Sequence, residues 1–312
     1  MRRFKNILFV ADGSKGEKAV LRRAVRLASA NRAKLTLFDA VATDDHGVVD
    51  EETRSAIGAL RRDLVAVRRE ELESLKEQAT SLAPKSRVAV KVETGGLARS
   101  VIRAVLVKGY DLVMKAPGGS GRRLKPLLGS SDQRLMRKCP CPVWIVKPSR
   151  KKYFRKILAA VDLNPSEPDT ESLARQIMSL ATSLAKEERS ELHVVHVWRL
   201  PGEAKLRGRQ ILTTNADKIL RDLRAAHKSE LDGLLKKYPY NKKIVHLIKG
   251  RAGEVIPAFA EKHDVDLVVI GTVARGGIPG LFIGNTAEKV LNAVDCSVLT
   301  LKPEGFETPI RV

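Results

Sequence analysis

The sequence predicts an α/β protein built as two tandem five-stranded, parallel, doubly wound domains, and three observations lead there. The chain repeats itself: Ile7-Leu8-Phe9-Val10-Ala11-Asp12 returns as Ile157-Leu158-Ala159-Ala160-Val161-Asp162, an offset of 150. At an offset of 155, Gly95 answers to Gly250, Asp111-Leu112-Val113 to Asp266-Leu267-Val268, Gly129 to Gly284, Cys141 to Cys296 and Lys147-Pro148 to Lys302-Pro303. Short, nearly continuous apolar runs alternate with segments of helical periodicity, the pattern of a parallel sheet covered on both faces. Finally, 312 residues exceed the usual single-domain size and suit two domains of about 150 residues each. The expected domains are residues 1–148 and 153–303, joined by the basic stretch Pro148-Ser149-Arg150-Lys151-Lys152 and followed by a tail at 304–312.

In the first half, strands are expected at Phe4–Ala11, Leu35–Val41, Val88–Val92, Asp111–Lys115 and Val143–Val146. The helix at Ser14–Arg32 places Ala19, Val20, Ala24, Leu27 and Ala28 on one face. The long charged helix at Glu51–Leu82 carries Ile57, Leu60, Leu64, Val67, Leu72, Leu75 and Leu82 at helical spacing, with its polar residues as the solvated face. Shorter helices follow at Leu97–Lys108, after the Gly95-Gly96 turn, and at Ser130–Lys138. The second half repeats the order with strands near Lys156–Val161, Leu192–Trp198, Lys243–Ile248, Asp266–Ile270 and Ser297–Leu301. Its helices fall near Asp169–Lys186, Gln210–Lys237, Glu254–His263 and Thr286–Ala293.

The chemistry concentrates at Leu267–Thr286, an apolar strand followed by a glycine-rich loop and a helix start. Glycines let backbone N–H groups approach a ligand without Cβ in the way, and a helix start adds free N–H groups and positive dipole, so an anion such as phosphate suits this loop. An ordinary βα connection explains the same residues equally well. Ligands on such sheets bind beyond the carboxyl ends of the strands, where the strand order reverses. Asp162, closing the first strand of its half, then lies beside this loop and can accept hydrogen bonds from a sugar or base, or hold a phosphate-bound metal. Its alternative role is a turn or cap ahead of Asn164-Pro165-Ser166.

These residues resemble the universal stress protein family in its tandem, two-domain form, over essentially the whole chain. The most specific segments are Gly271-Thr-Val-Ala-Arg-Gly-Gly-Ile with Phe282-Ile283-Gly284-Asn285-Thr286-Ala287-Glu288, and Arg137-Lys138-Cys139-Pro140 with Pro142-Val143-Trp144. The resemblance implies a Rossmann-like, adenine nucleotide alpha hydrolase-like fold and, in nucleotide-binding members, the pattern Gly-x2-Gly-x9-Gly-[Ser/Thr] around the phosphates of ATP. It also implies an Asp at the end of the first strand and a residue at the end of the second for the adenosine. The second half reads Gly271-x2-Ala274-x9-Gly284-Asn285, with Thr286 one residue late, and keeps Asp162 with Val197 at the adenine position. Arg275 and Gly276 complete that candidate nucleotide site. The first half reads Ala116-x2-Gly119-x9-Gly129-Ser130 and keeps Asp12, but has Asp39-Ala40 at the adenine position and Pro117 in its loop. Its candidate site comprises Asp12, Gly119, Gly121, Gly129, Ser130 and Ser131, with Arg122, Arg123 and Lys125 between the glycines. Asn285 with Glu288, and Ser130 with Gln133, also match helix-capping patterns, which account for a polar residue there even without a ligand.

The expected ligand is ATP or AMP, with Mg²⁺, held mainly by the second domain of a regulator rather than an efficient enzyme. There is no Walker Lys-[Ser/Thr] pair and no general base beyond Asp162; His196 is a candidate by position alone. An alternative is a lipid or other anionic metabolite held by altered loops. The net charge of +21 adds a third, nonspecific RNA association, although aromatic residues make up only 4% of the chain. That charge is uneven, with 31 Lys+Arg against 16 Asp+Glu in residues 1–150. Three cysteines, Cys139, Cys141 and Cys296, cannot all pair, which fits a reducing cytoplasm. No apolar run approaches the roughly 20 residues of a transmembrane helix, and the N-terminal apolar run ends at Asp12 without a cleavage site. No metal site is expected. The resemblance further implies an intramolecular pseudo-dimer through the fifth strands, with a homodimer as the further option.

Overall fold

Ile7, Leu8, Phe9 and Val10 expose no surface, and they form β1 (Asn6–Val10), the central strand of a parallel five-stranded sheet. The computed structural model describes residues 4–42, 50–118, 128–149, 151–163, 168–200, 216–272 and 284–311. After β1 come α1 (Glu17–Asn31), β2 (Lys34–Val41), α2 (Glu51–Leu82), β3 (Arg87–Thr94), α3 (Leu97–Lys108), β4 (Leu112–Lys115), α4 (Ser130–Lys138) and β5 (Val143–Ile145). Strand order in this unit is β3-β2-β1-β4-β5, every pair parallel. The second unit repeats it with β6 (Lys156–Val161), α5 (Pro168–Glu188), β7 (Glu191–Trp198), α6 (Ala216–Lys236), β8 (Lys243–Lys249), α7 (Ala252–Lys262), β9 (Leu267–Gly271), α8 (Asn285–Ala293) and β10 (Ser297–Leu301). Its order is β8-β7-β6-β9-β10, again parallel throughout. The two compact units change over between Lys152 and Tyr153, and the tail from Phe306 belongs to the first.

The repeated Asp111 and Asp266 have a structural explanation. The carboxylate of Asp111 accepts the backbone N–H groups of Lys5 (2.6 Å) and Asn6 (3.1 Å), and that of Asp266 accepts those of Arg155 (2.7 Å) and Lys156 (3.1 Å). In each unit the fourth strand is thereby pinned to the first at its amino end, where the first N–H groups of an entering strand need partners.

Two expectations require correction. Helix α2 does start and stop where the periodicity placed it, with Asp50 accepting the Thr53 N–H at 2.8 Å. Its inward face, however, is only Leu72, Leu75 and Ala79, while Leu60 and Leu64 are 60% and 47% exposed. At 1.5 Å per residue a helix of 32 residues is about 48 Å long, whereas the eight residues of β2 span about 27 Å, so the amino-terminal half overruns the sheet it would cover. The second correction concerns caps: Gly129 and Gly284, not Ser130 and Asn285, are the N-cap residues of α4 and α8. Asp132 at the third helical position accepts the Gly129 N–H at 3.0 Å, so the return bond comes from Asp132 rather than Gln133.

Candidate functional site

In both units the strand order reverses between the first and fourth strands, so a crevice opens at their carboxyl ends. The register fixes which residues correspond there. Val10 pairs with Lys115 in the first unit and Ala160 with Ile270 in the second, so Lys115 and Ile270 occupy one position. By the same repeat, Asp132 of α4 and Ala287 of α8 are both the third residue of their helices.

In the second unit, Asp162 follows β6, Val197 is half-buried near the end of β7, Gly271 ends β9 and Gly284 is the N-cap of α8, with Thr286 exposed in its first turn. These elements bring the described part of the expected nucleotide site to one end of the sheet. Ala274, Arg275 and Gly276 lie outside the described residues, and of Asn285 only the backbone is described. Gly271 has a packing reason to be glycine, since a Cβ there would come 2.4 Å from Cδ2 of Leu173 on α5. His196 is buried beside the crevice. Its Nδ1–H donates to the Val161 carbonyl at 3.2 Å and its Nε2 accepts from His227 Nδ1–H at 3.0 Å, a tautomer assigned from these partners. Burial lowers the His196 pKa, His227 lowers it further, and the Val161 carbonyl and Asp162 act against that shift.

The first unit is built differently at the same place. Lys115, fully buried, directs its Nζ to Asp12 Oδ2 (2.8 Å), Asp132 Oδ1 (3.0 Å) and the Ala116 carbonyl (2.9 Å). The other Asp132 oxygen accepts the N–H groups of Gly118 (2.8 Å) and Gly129 (3.0 Å), and Asp12 is further bonded by the Ser14 hydroxyl. Where β2 ends, Arg68 of α2 donates from Nε to Asp39 (2.7 Å) and from Nη2 to the Ala11 carbonyl (2.8 Å). Burial raises the Asp39 pKa and outweighs the Arg68 hydrogen bond, and burial likewise raises Glu17, whose carboxylate accepts the Gly13 N–H at 2.7 Å. Of the residues expected to form a site here, Asp12, Gly129, Ser130 and Ser131 stand at the crevice. Gly119, Gly121, Arg122, Arg123 and Lys125 lie outside the described residues.

Lys115, Asp132, Arg68 and His227 were not legible as site residues from the glycine pattern. A signal for the first existed: a lysine closing an apolar strand, where the repeat has isoleucine at the same position, needs a partner for its buried charge. Away from the crevices, His193, His246 and His263 gather around Phe259, with His193 Nδ1 and His246 Nε2 3.1 Å apart and the rings of Phe259 and His263 stacked at 4.1 Å. Among the described residues no group of three or more His, Cys, Asp or Glu side chains is arranged to hold a metal ion, and no helix is long and apolar enough to cross a membrane. Cys139 and Cys141 are free thiols with sulfurs 3.6 Å apart. A cleft of about 670 Å³ lies elsewhere on the first unit, beside α1 and the segment from Val146 to Lys152.

Comparison with known proteins agrees with this architecture. Universal stress protein E of Escherichia coli K12 is 29% identical over 317 aligned residues, covering all of this chain and 98% of that protein. A homologue of that protein from Haemophilus influenzae is 26% identical and covers 96% of this chain and 98% of its own. Among solved structures, a protein of unknown function from Pseudomonas aeruginosa PAO1 superimposes with a TM-score of 0.72 at 27% identity, covering 98% of this chain and 95% of the other. A universal stress protein from Archaeoglobus fulgidus shares the fold at 19% identity and a TM-score of 0.64, covering 95% of this chain and 98% of its own. The model of the universal stress protein family matches residues 3–147 and again 153–302, and the chain belongs to that family as a tandem of two such domains.

Proposed function

We propose that the protein is a cytoplasmic stress-response regulator that binds an adenine nucleotide, ATP or AMP, in the crevice of its second unit, and that it signals through occupancy rather than efficient hydrolysis. The observation that carries this reading is the pairing of Asp162 at the end of β6 with a helix start where the two positions held by the buried ion pair of the first unit are apolar. Ile270 and Ala287 stand where the first unit has Lys115 and Asp132. The first N–H groups of α8 have no intrahelical carbonyl to bond, and the helix dipole favours an anion at that end. Phosphate oxygens fit the backbone of Gly284–Thr286, and the hydroxyls of a ribose fit the Asp162 carboxylate, with Val197 offering an apolar contact to a base. Mg²⁺ would neutralise charge on the phosphates of ATP.

The test is isothermal titration of nucleotide-free protein with ATP and Mg²⁺, and with AMP. Saturable heat that disappears in the Asp162→Ala variant supports the reading; no heat at millimolar nucleotide sinks it. Slow turnover is expected in a coupled phosphate-release assay, because nothing in the sequence supplies a Walker lysine to the phosphates.

A further inference from the structure

We propose that the crevice of the first unit is filled by its own side chains, so that this unit excludes nucleotide and the chain binds one nucleotide in its two crevices. The inference rests on the reading that the second unit binds nucleotide, and it concerns the residues that decide which copy does so. Asp132 carries the case. Its carboxylate is fully buried and accepts the N–H groups of Gly118 and Gly129, the two described ends of the loop that faces phosphate in this fold. A carboxylate accepting N–H bonds at a helix start makes the interaction that a phosphate oxygen would make. The Lys115 ammonium then joins that carboxylate to Asp12, the residue that would otherwise meet the sugar. The cluster leaves little slack: a Cβ on Gly118 would lie 3.1 Å from Lys115 Nζ, and one on Gly129 would lie 3.2 Å from the backbone carbon of Gly118.

The base side of the crevice is occupied as well. Arg68 bonds both Asp39 and the Ala11 carbonyl across the ends of β2 and β1. Among the described residues, the carboxylates of Asp12, Glu17, Asp39 and Asp132 gather here against the cations Lys115 and Arg68. A nucleotide would meet these four carboxylates and would have to displace a buried ion pair whose members are hydrogen-bonded to the backbone. In the second unit the same two positions are Ile270 and Ala287, which offer neither the ammonium nor the competing carboxylate. The residues of the first unit therefore do not fit ATP or AMP, although its fold and its Asp12 match those of a binding member.

Photolabelling with 2-azido-ATP and peptide mapping of the intact chain tests this. Label confined to peptides of the second unit supports the proposal; label in the first unit of the unaltered protein overturns it. The double variant K115I/D132A installs the residues of the second unit. It should acquire first-unit label and raise the titrated stoichiometry from one to two, and a folded double variant that stays unlabelled there overturns the proposal. If neither unit of the unaltered protein takes label, the nucleotide reading fails and the decision falls to amine acetylation of the native protein. Protection of Lys115 while exposed Lys108 and Lys236 react supports the internal ion cluster, and acetylation of Lys115 at their rate overturns it.

Discussion

Replacing Lys115 by Met removes the ammonium while keeping most of the side-chain volume, and it isolates what the cluster contributes to stability. Both Lys115 and Asp132 have fully buried side chains, so neither charge has water to fall back on when the other is lost. Removing one partner of a buried pair costs about 3–5 kcal/mol, because the remaining charge is left uncompensated. Asp132 would retain the Gly118 and Gly129 N–H groups, and Asp12 its bond from Ser14, which places the expected loss toward the lower end of that range. For a unit of this size each kcal/mol moves the midpoint by about 2–4 °C, so a fall of at least about 6 °C is expected. The chain has two tryptophans, Trp144 buried in β5 and Trp198 in β7, one to each unit. In a W198F background, Trp144 fluorescence during thermal and urea unfolding reports the first unit alone. Adding Asp132→Ala to Lys115→Met removes the stranded carboxylate and should recover part of the loss, a coupling of about 0.5–3 kcal/mol. A K115M midpoint within 2 °C of the parent, or strictly additive single effects, would refute the reasoning.

The remaining predictions concern other named residues. In the second unit, burial lowers the pKa values of His193, His196 and His246, so the unfolded chain takes up protons more readily than the folded one. Stability of that unit is therefore complete above the ordinary histidine pKa of about 6.5 and lost as pH falls below it. Urea midpoints read from Trp198 in a W144F background should drop between pH 7.5 and 5.5, and an unchanged or rising midpoint contradicts this. Gly271→Ala places a Cβ 2.4 Å from Leu173 Cδ2 and should cost about 1–3 kcal/mol by overpacking, with a favourable coupling when Leu173 is also shortened to Ala. Leu72 is fully buried on α2 whereas Leu64 is 47% exposed. Leu72→Ala should cost about 2–5 kcal/mol and Leu64→Gln less than about 0.5 kcal/mol, measured by the same urea titration.

The fold was legible because it depends on features that repeat and on patterns that span many residues. Two offsets, 150 and 155, located ten strands, and the helical spacing of apolar residues placed α2 at about Glu51–Leu82, where the structure has it. What the periodicity of α2 could not convey was where the sheet beneath it ends, since Leu60 and Leu72 look alike along the chain and differ only in what lies opposite. The crevice was partly legible for a related reason. Glycine spacing marks a backbone path, and Asp12 and Asp162 mark the end of a strand, but the pairing of Lys115 with Asp132 joins residues from different elements that no local pattern relates.

The divergence of the two crevices follows a single rule, visible only when the units are compared position by position. Asp39 and His196 both lie one residue past the Val10–Phe38 and Ala160–Val195 strand pairs, and each is met by a side chain from the following long helix, Arg68 in one unit and His227 in the other. Each pair also reaches the last carbonyl of the first strand region, Ala11 through Arg68 and Val161 through His196. The frame thus demands a polar contact at this corner in both copies, because a strand-end carbonyl there must be bonded. One copy satisfies the demand with fixed charges and adds Lys115 and Asp132 at the end of β4 and the start of α4, whereas the other satisfies it with imidazoles and has Ile270 and Ala287 at those positions. Fixed internal charges complete a site without a ligand. On the proposed reading the second unit, with Ile270 and Ala287 at the two positions of that ion pair, is the copy whose Asp162 and α8 start meet the nucleotide.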